Sequence, residues 1–165
     1  IFQLLIDDPA PSYIRIDKSK LTPSSVVPFI PHSPRCLRKG EHIAIIATGG
    51  MLSEALQASD LLLDHGYSSS VYSIHTLKPF SPYSLKDIFS CHDSIFSVEE
   101  HVPCGGLGSL ITESIVELGF TPRVFRRFSL PDEFSAIVGS QSYLRERFQL
   151  DAESLFTNIL SLVSK

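Results

Sequence analysis

The sequence lacks the features of a membrane protein and of a typical nucleic-acid-binding protein. No apolar run approaches the roughly 18 residues needed to span a bilayer. The opening stretch, IFQLLIDDPAP, has neither the basic region nor the long apolar region of a signal peptide. Acidic residues outnumber basic ones, and the 165 residues carry a formal net charge of −4. We therefore expect no nucleic acid and no membrane among the partners.

Cysteine is also scarce. Cys36, Cys91 and Cys104 stand at unrelated spacings, so they do not form a disulfide framework. A reducing cytoplasm is the simplest location for such a chain. With 43% apolar and 19% charged residues, the composition is sufficient for an ordinary hydrophobic core. The first residue is Ile1 rather than Met, and we expect the chain to be a piece of a larger protein.

Glycine is missing from the first 39 residues, since all nine glycines lie at or after Gly40. Six of the eleven prolines lie between Pro9 and Pro34 instead. The stretch 20–34 is therefore predicted to be an extended linker stiffened by proline. Before it, residues 12–16 (SYIRI) alternate in the manner of a strand that has no partner nearby. We interpret this stretch as the last strand of a preceding domain.

After Gly40, short apolar strands alternate with helical patterns. Strands are predicted at 43–47, 70–74, 94–98 and 123–128. Helices are predicted over 52–63 with Gly66 at the end, over 84–90, from GGLGS onward, over 140–148, and from an N-cap at Asp151. This alternation indicates an α/β fold with a mostly parallel sheet covered on both faces. Ligands of such sheets collect at the carboxyl ends of the strands.

One such end carries a dense cluster of reactive side chains, SVEEHVPCGGLGS at 97–109. A metal site would use Cys91, His92, His101 and Cys104, but a five-residue strand of about 17 Å separates the two pairs. A nucleophilic pair would use Cys104 and His101. The local sequence supplies neither an orienting third group nor a GxSxG turn. A structural role for these residues is the favoured interpretation.

An anion site is a further alternative for the same stretch. GGLGS follows a strand and opens a helix, where free backbone N–H groups face any ligand. It matches neither GxGxxG nor GxxxxGK[ST]. Glycines at such a place also permit positive φ and close packing of helix on strand, and we favour that geometric role. The stretch ATGGM at 47–51 has the same two interpretations.

The remaining basic candidates are one lysine and three arginines. Lys78 precedes Pro79 and either holds an anion or lies in solvent. Arg123 and Arg127 share one face of the predicted strand, and Arg126 occupies the other. We expect structural ion pairs between these arginines and nearby carboxylates, those of Glu113, Glu117 or Asp132.

Several stretches, taken together and in order, resemble the C-terminal domain of the transketolase family of thiamine diphosphate enzymes. They are AIIATGGMLSEALQASDLL, VYSIHTLKPF, SIFSVEEHVPCGGLGS and GSQSYLRERFQLDAESLF. The pairing of HTLKP with VEEH…GGLGS is the most specific of these features. The resemblance covers residues 35 to the end, and PAPSYIRIDKS resembles the tail of the pyrimidine-binding domain that precedes this domain in the family.

The resemblance implies a three-layer α/β/α domain with a five-stranded mixed, mostly parallel sheet. It supplies a strand at Arg35–Arg38 that runs antiparallel before a turn at Gly40. It divides the chain into a tail of the pyrimidine-binding domain (1–19), a linker (20–34) and the C-terminal domain (35–165). In this family, thiamine diphosphate and magnesium are bound in other domains, on a GDG motif that this sequence lacks. We therefore expect no catalytic residue, no metal and no cofactor in this chain alone.

The resemblance also implies two candidate sites. A basic residue that follows a PSxIxxS-like strand binds the sugar phosphate in transketolases, and the matching residue in PSYIRIDK is Lys18. For the loop after the third predicted strand, the resemblance implies a position near a domain or subunit interface, and the residue pattern described above leaves an anion site as the alternative. Its residues are Glu99, Glu100, His101, Gly105, Gly106, Gly108 and Ser109.

The function expected from the resemblance belongs to the parent enzyme, which would transfer a two-carbon ketol unit between sugar phosphates. This domain would support assembly into a homodimer, or into a heterotetramer with an N-terminal subunit. Two alternatives stay open at this point. The parent is the β-subunit of a 2-oxo acid dehydrogenase or a deoxyxylulose-phosphate synthase, or the chain is a non-catalytic assembly or binding module.

Overall fold

The structure, a computed structural model, describes residues 1–17 and 30–164. The strands are β1 (Arg35–Arg38), β2 (His42–Ala47), β3 (Ser69–Ser73), β4 (His92–Val98) and β5 (Val124–Phe128). The helices are α1 (Phe2–Asp7), α2 (Met51–Asp64), α3 (Lys86–Cys91), α4 (Leu107–Glu117), α5 (Gln141–Arg147) and α6 (Ala152–Val163). A 3₁₀ turn at Pro82–Leu85 leads into α3.

The five strands form one mixed sheet in the order β1-β3-β2-β4-β5. Only β1 runs antiparallel to its neighbour, β3, and the other three pairings are parallel. The central strand β2 pairs on both sides, so that Ile45 lies opposite Val71 and Phe96. The predicted five-stranded, mostly parallel sheet is confirmed. So is the strand at Arg35–Arg38, which followed from the family resemblance and not from the pattern of residues.

Two apolar cores lie on opposite faces of the sheet and make the fold three-layered. One core joins the sheet to α2 and α6, and the other joins it to α3 and α4. Successive side chains of a strand point to opposite faces. Ile43 and Ile45 therefore enter the first core, whereas Ala44 and Ile46 enter the second. Burial on both faces explains why β2 is a continuous apolar run and not an alternating one.

Local signals in the sequence fix several element ends. The Asp151 carboxylate accepts a hydrogen bond from the Ser154 N–H at 3.1 Å, so the predicted N-cap of α6 is confirmed. The chain leaves α2 through Gly66, which has a φ of +85°. Gly40 makes the turn between β1 and β2 because a Cβ there would overlap the Ser69 backbone.

The N-terminal segment differs from its prediction. Residues 12–16, predicted as a strand, form no regular secondary structure, and the short helix α1 precedes them. A strand needs a neighbouring strand to satisfy its backbone groups, and no described strand of this chain lies beside this segment. Most of the predicted linker at 20–34 lies outside the described residues. Its last part, 30–34, is a turn. Among the described helices, none is both long and apolar enough to cross a membrane.

Candidate functional site

The loop after β4 begins with a carboxylate that is directed into the protein. Glu99 is only 1% exposed. Its Oε2 accepts a hydrogen bond from the Leu107 N–H at 2.6 Å, and its Oε1 accepts one from the Gly108 N–H at 2.8 Å. These are N–H groups of the first turn of α4, which lack partners within the helix. The helix N-terminus that the sequence offered as an anion site thus binds an anion from its own chain, at the favourable end of the helix dipole.

The glycines of GGLGS make this contact sterically feasible. Gly105 has a φ of +74°, which side-chain-bearing residues rarely adopt. A Cβ at Gly106 would overlap the Glu99 carboxylate. A Cβ at Gly108 would stand 2.7 Å from Cδ of Arg127 and 3.0 Å from Oγ of Ser97, below contact distance. This geometry agrees with the interpretation that the three glycines serve chain reversal and close packing.

The second acidic residue of the loop belongs to an ion network around a buried arginine. Arg145 of α5 is 7% exposed and donates from Nε to Oε1 of Glu100 at 2.7 Å. It also donates from Nη1 to Oε1 of Glu54 at 3.0 Å. The other Glu54 oxygen accepts the Ala152 N–H at 3.0 Å. We call Arg145, Glu54 and Glu100 the Arg145 network; it ties α2, the loop after β4 and α5 together at the carboxyl end of the sheet.

The charges in this network reinforce one another. Burial alone would lower the pKa of Arg145, but the hydrogen bond to Glu100 and the charges of Glu100 and Glu54 outweigh it and raise that pKa. The guanidinium therefore gives up its proton less readily than an ordinary arginine does. Its planar fork can contact two carboxylates at once, which a lysine ammonium in the same place would do less well.

A polar bridge extends from the network to the N-terminal segment. The Gln141 side-chain amide donates to both carboxylate oxygens of Glu100 at 3.3 Å and to Oδ1 of Asp17 at 3.4 Å. Asp17 precedes the candidate phosphate-binding residue Lys18, which lies outside the described residues. The loop after β4 and the segment before residue 18 therefore meet at one corner of the domain.

The other candidates of the loop are exposed or half-buried. His101 is exposed, and its Nδ1 lies 2.8 Å from the Val102 carbonyl oxygen. Ser109 donates to the Pro103 carbonyl at 2.7 Å and accepts the Gly105 N–H at 3.1 Å, which closes the turn. Cys104 is exposed. These contacts hold the loop in shape.

The four residues considered as metal ligands lie in two pairs at opposite ends of β4, as their spacing in the sequence predicted. Cys91 and His92 lie where α3 meets the start of β4, whereas His101 and Cys104 follow its far end. His92 is buried, with Nδ1 2.7 Å from the Ile88 carbonyl oxygen and Nε2 2.9 Å from Oγ of Ser70. Across the described ranges, no group of three or more His, Cys, Asp or Glu side chains could hold a metal ion.

The basic candidates take partners other than those expected. Arg123 pairs with Asp93 at 3.6 Å and donates to Oγ of Ser94 at 3.0 Å. Arg127 donates to the Pro103 carbonyl at 3.2 Å. The expected pairing of these two arginines with Glu113, Glu117 or Asp132 is therefore wrong. Parallel pairing places the start of β5 beside the start of β4, which brings Asp93 and not the helix carboxylates next to Arg123.

The sequence did not predict the ion pair of Arg145 with Glu54. One feature of the sequence did indicate that Arg145 needs a buried partner. In α5, Arg145 lies three residues before Phe148, which packs against the first core. A charged residue on the apolar stripe of a helix requires a buried partner. Its partners lie 91 and 45 residues away in the chain, so only the fold could identify them.

Replacing Glu99 tests its role as the cap of α4. We expect Glu99→Ala to lower the free energy of unfolding by about 2–3 kcal/mol, because two buried N–H groups lose their acceptor. Glu99→Gln keeps the shape but replaces one acceptor oxygen by a donor, and about 1–2 kcal/mol should be lost. Urea unfolding of the chain followed by circular dichroism measures both. The control Glu113→Ala, at an exposed position of the same helix, should stay within about 0.5 kcal/mol of the parent sequence; an equally small effect of Glu99→Ala would contradict the cap.

Removing the guanidinium of Arg145 should be more damaging. Arg145→Met leaves the carboxylates of Glu54 and Glu100 without a counter-charge, which should cost about 3–5 kcal/mol in unfolding free energy. Arg147→Met, an exposed position on the same helix, should cost less than about 1 kcal/mol. Adding Glu54→Gln and Glu100→Gln to Arg145→Met should restore part of the loss. Equal effects of the two Arg→Met variants in urea unfolding would show that the Arg145 network does not contribute to the free energy of unfolding.

This chain matches a known family model and resembles several known proteins in sequence. The family model described as "Transketolase, C-terminal domain" matches residues 34–155, from just before β1 into α6. An apulose-4-phosphate transketolase subunit from Actinobacillus succinogenes is 31% identical over 164 residues, which cover 98% of this chain and 52% of that protein. A 1-deoxy-D-xylulose-5-phosphate synthase of Magnetococcus marinus is 36% identical over 131 residues, or 78% of this chain and 21% of that protein.

Solved transketolase structures share the fold of this chain. One described as "Split gene transketolase, inactive beta4 tetramer" superposes with a TM-score of 0.73 at 26% identity, over 82% of this chain and 44% of that one. A mutant transketolase from Pichia stipitis shares the fold with a TM-score of 0.58 at 19% identity, over 81% of this chain and 18% of that one. The chain spans about half the length of the apulose-4-phosphate transketolase relative and about a fifth of the synthase. With a family model matched across most of its length and a sheet of the corresponding topology, the chain belongs to the transketolase C-terminal domain family.

Proposed function

We propose that this chain is the C-terminal, non-cofactor-binding domain of a transketolase-type enzyme that transfers a two-carbon ketol unit between sugar phosphates. The observation that carries the proposal is the alignment with the apulose-4-phosphate transketolase relative, which covers 98% of the chain and so includes its N-terminal segment. Thiamine diphosphate supplies the nucleophilic ylid of such a reaction when it is bound. Substrate recognition and assembly are the contributions we assign to this part of the enzyme.

The carboxylates at the carboxyl end of the sheet do not suit the cofactor. A magnesium diphosphate needs oxygen ligands for the metal and free donors for the phosphates. The N-terminus of α4 is one possible phosphate site, but Glu99 already fills it, and a second anion there would be repelled. Glu54 and Glu100 are neutralised by Arg145 rather than free to bind a metal ion. We therefore assign thiamine diphosphate and magnesium to parts of the enzyme outside this chain.

The proposed domain boundaries are those that the family resemblance implied. Residues 1–19 are the tail of a pyrimidine-binding domain, 20–34 are a linker, and 35–165 are the C-terminal domain. The family match begins at residue 34, next to the first strand of the sheet, which supports the last boundary. The assembly is a homodimer or a heterotetramer with an N-terminal subunit, located in the cytoplasm. The loop from Glu99 to Ser109 lies near an interface in that assembly.

A deoxyxylulose-phosphate synthase is the second candidate for the parent enzyme. The observation in its favour is the 36% identity to the Magnetococcus marinus synthase, higher than the 31% identity to the Actinobacillus succinogenes protein. The synthase alignment covers 78% of this chain against 98% for the apulose-4-phosphate transketolase relative, so it leaves more of the chain unexplained. The two activities differ in the donor of the two-carbon unit, because a synthase obtains it by decarboxylation of a 2-oxo acid.

The parent enzyme should transfer a two-carbon unit in a defined assay. With thiamine diphosphate, magnesium, a ketose phosphate and an aldose phosphate, we expect an acceptor lengthened by two carbons, detected by mass spectrometry. Release of carbon dioxide from a 2-oxo acid without ketose cleavage would move the parent to the synthase or dehydrogenase class. Inactivity with both donors, with cofactor binding also absent by calorimetry, would favour a non-catalytic module.

We propose that Lys18 contacts the phosphate of the substrate. Lys18→Ala removes a charged hydrogen-bond donor worth about 1.5–3 kcal/mol, so KM for the phosphorylated acceptor should rise by about 10- to 100-fold. Lys18→Arg should retain or improve binding, because the guanidinium makes a bidentate contact with phosphate. The control Lys20→Ala should leave KM unchanged. An unaltered KM in Lys18→Ala would remove this residue from the substrate site.

A further inference from the structure

The side-chain amide of Gln141, in the first turn of α5, is a donor at which two carboxylates from distant parts of the chain meet. Its Nε2 lies 3.3 Å from each carboxylate oxygen of Glu100 and 3.4 Å from Oδ1 of Asp17. Gln141 is exposed, whereas Asp17 and Glu100 are half-buried. A glutamine NH₂ group has two N–H donors and no charge, so it can bridge two anions.

Neighbouring contacts fix the position of this amide. Arg145 lies four residues after Gln141, so the two side chains share one face of α5. Both reach Glu100, because Arg145, which is 7% exposed, donates from Nε to Oε1 of the same carboxylate at 2.7 Å. At the start of the helix, Ser140 accepts the Tyr143 N–H at 3.2 Å. The Gln141 donor is therefore preorganised toward Asp17, and little ordering entropy opposes the hydrogen bond between them.

Asp17 introduces a negative charge beside the proposed phosphate-binding residue. In PSYIRIDK it stands where the PSxIxxS-like pattern has its final serine, and Lys18 comes next. Consecutive Cα atoms are about 3.8 Å apart, so the covalent chain keeps the Asp17 carboxylate near the base of the Lys18 side chain. A carboxylate has the same sign of charge as a sugar phosphate, and the two compete for one ammonium group. A serine in that place would create no such competition.

We infer that Gln141 is a positioning residue for the substrate phosphate. Its hydrogen bond holds the Asp17 carboxylate toward α5 and the Arg145 network, and so keeps that carboxylate away from the phosphate that Lys18 binds. The inference rests on the proposed function, because it takes Lys18 as the residue that contacts the phosphate. It adds a residue of α5 that touches no substrate itself and acts through Asp17.

Replacing Gln141 in the intact parent enzyme tests the inference. Without the amide, nothing offsets the repulsion between Asp17 and Glu100, and the Asp17 carboxylate turns toward the phosphate. We expect Gln141→Ala to raise KM for the aldose phosphate acceptor by about 3- to 10-fold, the effect of one lost hydrogen bond, with kcat changed by less than about 2-fold. The comparison substrate is the same aldose without its phosphate group. Its KM should not change, because the effect requires the phosphate charge.

A second substitution shows whether Gln141 acts through Asp17. Asp17→Asn keeps the shape of the side chain and removes its charge, so that a displaced side chain no longer competes with the phosphate. Gln141→Ala combined with Asp17→Asn should therefore have a KM within about 2-fold of Asp17→Asn alone, the non-additive result expected of coupled residues. The control Glu146→Ala, at an exposed position of the same helix, should leave KM for both acceptors unchanged.

Three results would overturn the inference. An unchanged KM for the aldose phosphate in Gln141→Ala would show that the amide does not position the substrate. An equal rise in KM with and without the phosphate group would show a general disturbance of the site. A rise that persists in the Asp17→Asn background would mean that Gln141 does not act through Asp17.

Hydrogen exchange separates failure of the inference from failure of the proposed function. Backbone amides of residues 12–17 should exchange faster in Gln141→Ala than in the unmodified parent, and this comparison needs no substrate. If the unmodified parent transfers no two-carbon unit, the proposed function fails, and the inference is overturned with it even when the exchange rates change. If transfer occurs but neither the exchange rates nor KM respond to Gln141→Ala, the inference alone is wrong.

Discussion

The Arg145 guanidinium, buried between two carboxylates, is the interaction on which the carboxyl end of the sheet depends. It joins Glu54 at the start of α2 to Glu100 after β4, and it does so from α5, which belongs to neither element. A buried ion pair adds little net stability relative to apolar packing, but losing one member is costly. The network therefore specifies one arrangement of α2, α5 and the loop after β4, and alternative arrangements would leave a charge without a partner.

Glu99 holds the neighbouring part of the loop against α4. Its carboxylate completes the first turn of α4, and the glycines at 106 and 108 are required in this geometry because side chains there would collide with Glu99, Arg127 or Ser97. At the edge of a parallel sheet where related architectures bind ligands, this domain thus uses its acidic side chains to hold its own helices.

Much of the fold was predictable because its signals are local. Apolar runs bounded by Gly and Pro marked four strands, and Asp151 marked the start of α6. β1 was not visible in the pattern of residues, since its side chains are only half buried and two of the four are arginine; the family resemblance supplied it. Residues 12–16, predicted as the last strand of a preceding domain, form no strand in this chain, because a strand depends on a neighbouring strand and no described strand lies beside them. The arginine pairings were wrong for a related reason, because strand register and not sequence distance chose Asp93 for Arg123.

The sequence by itself determined the class of fold, the order of its elements and the family to which the chain belongs, because hydrophobic periodicity, caps and short motifs act over a few residues. Only the tertiary structure decided what the motif EEHVPCGGLGS does. It directed Glu99 to α4 and Glu100 to Arg145, and it left Phe134 in solvent. Adjacent carboxylates have the same chemistry in a sequence. They acquire different roles because successive residues after a strand point in different directions, toward partners that folding brings from distant parts of the chain.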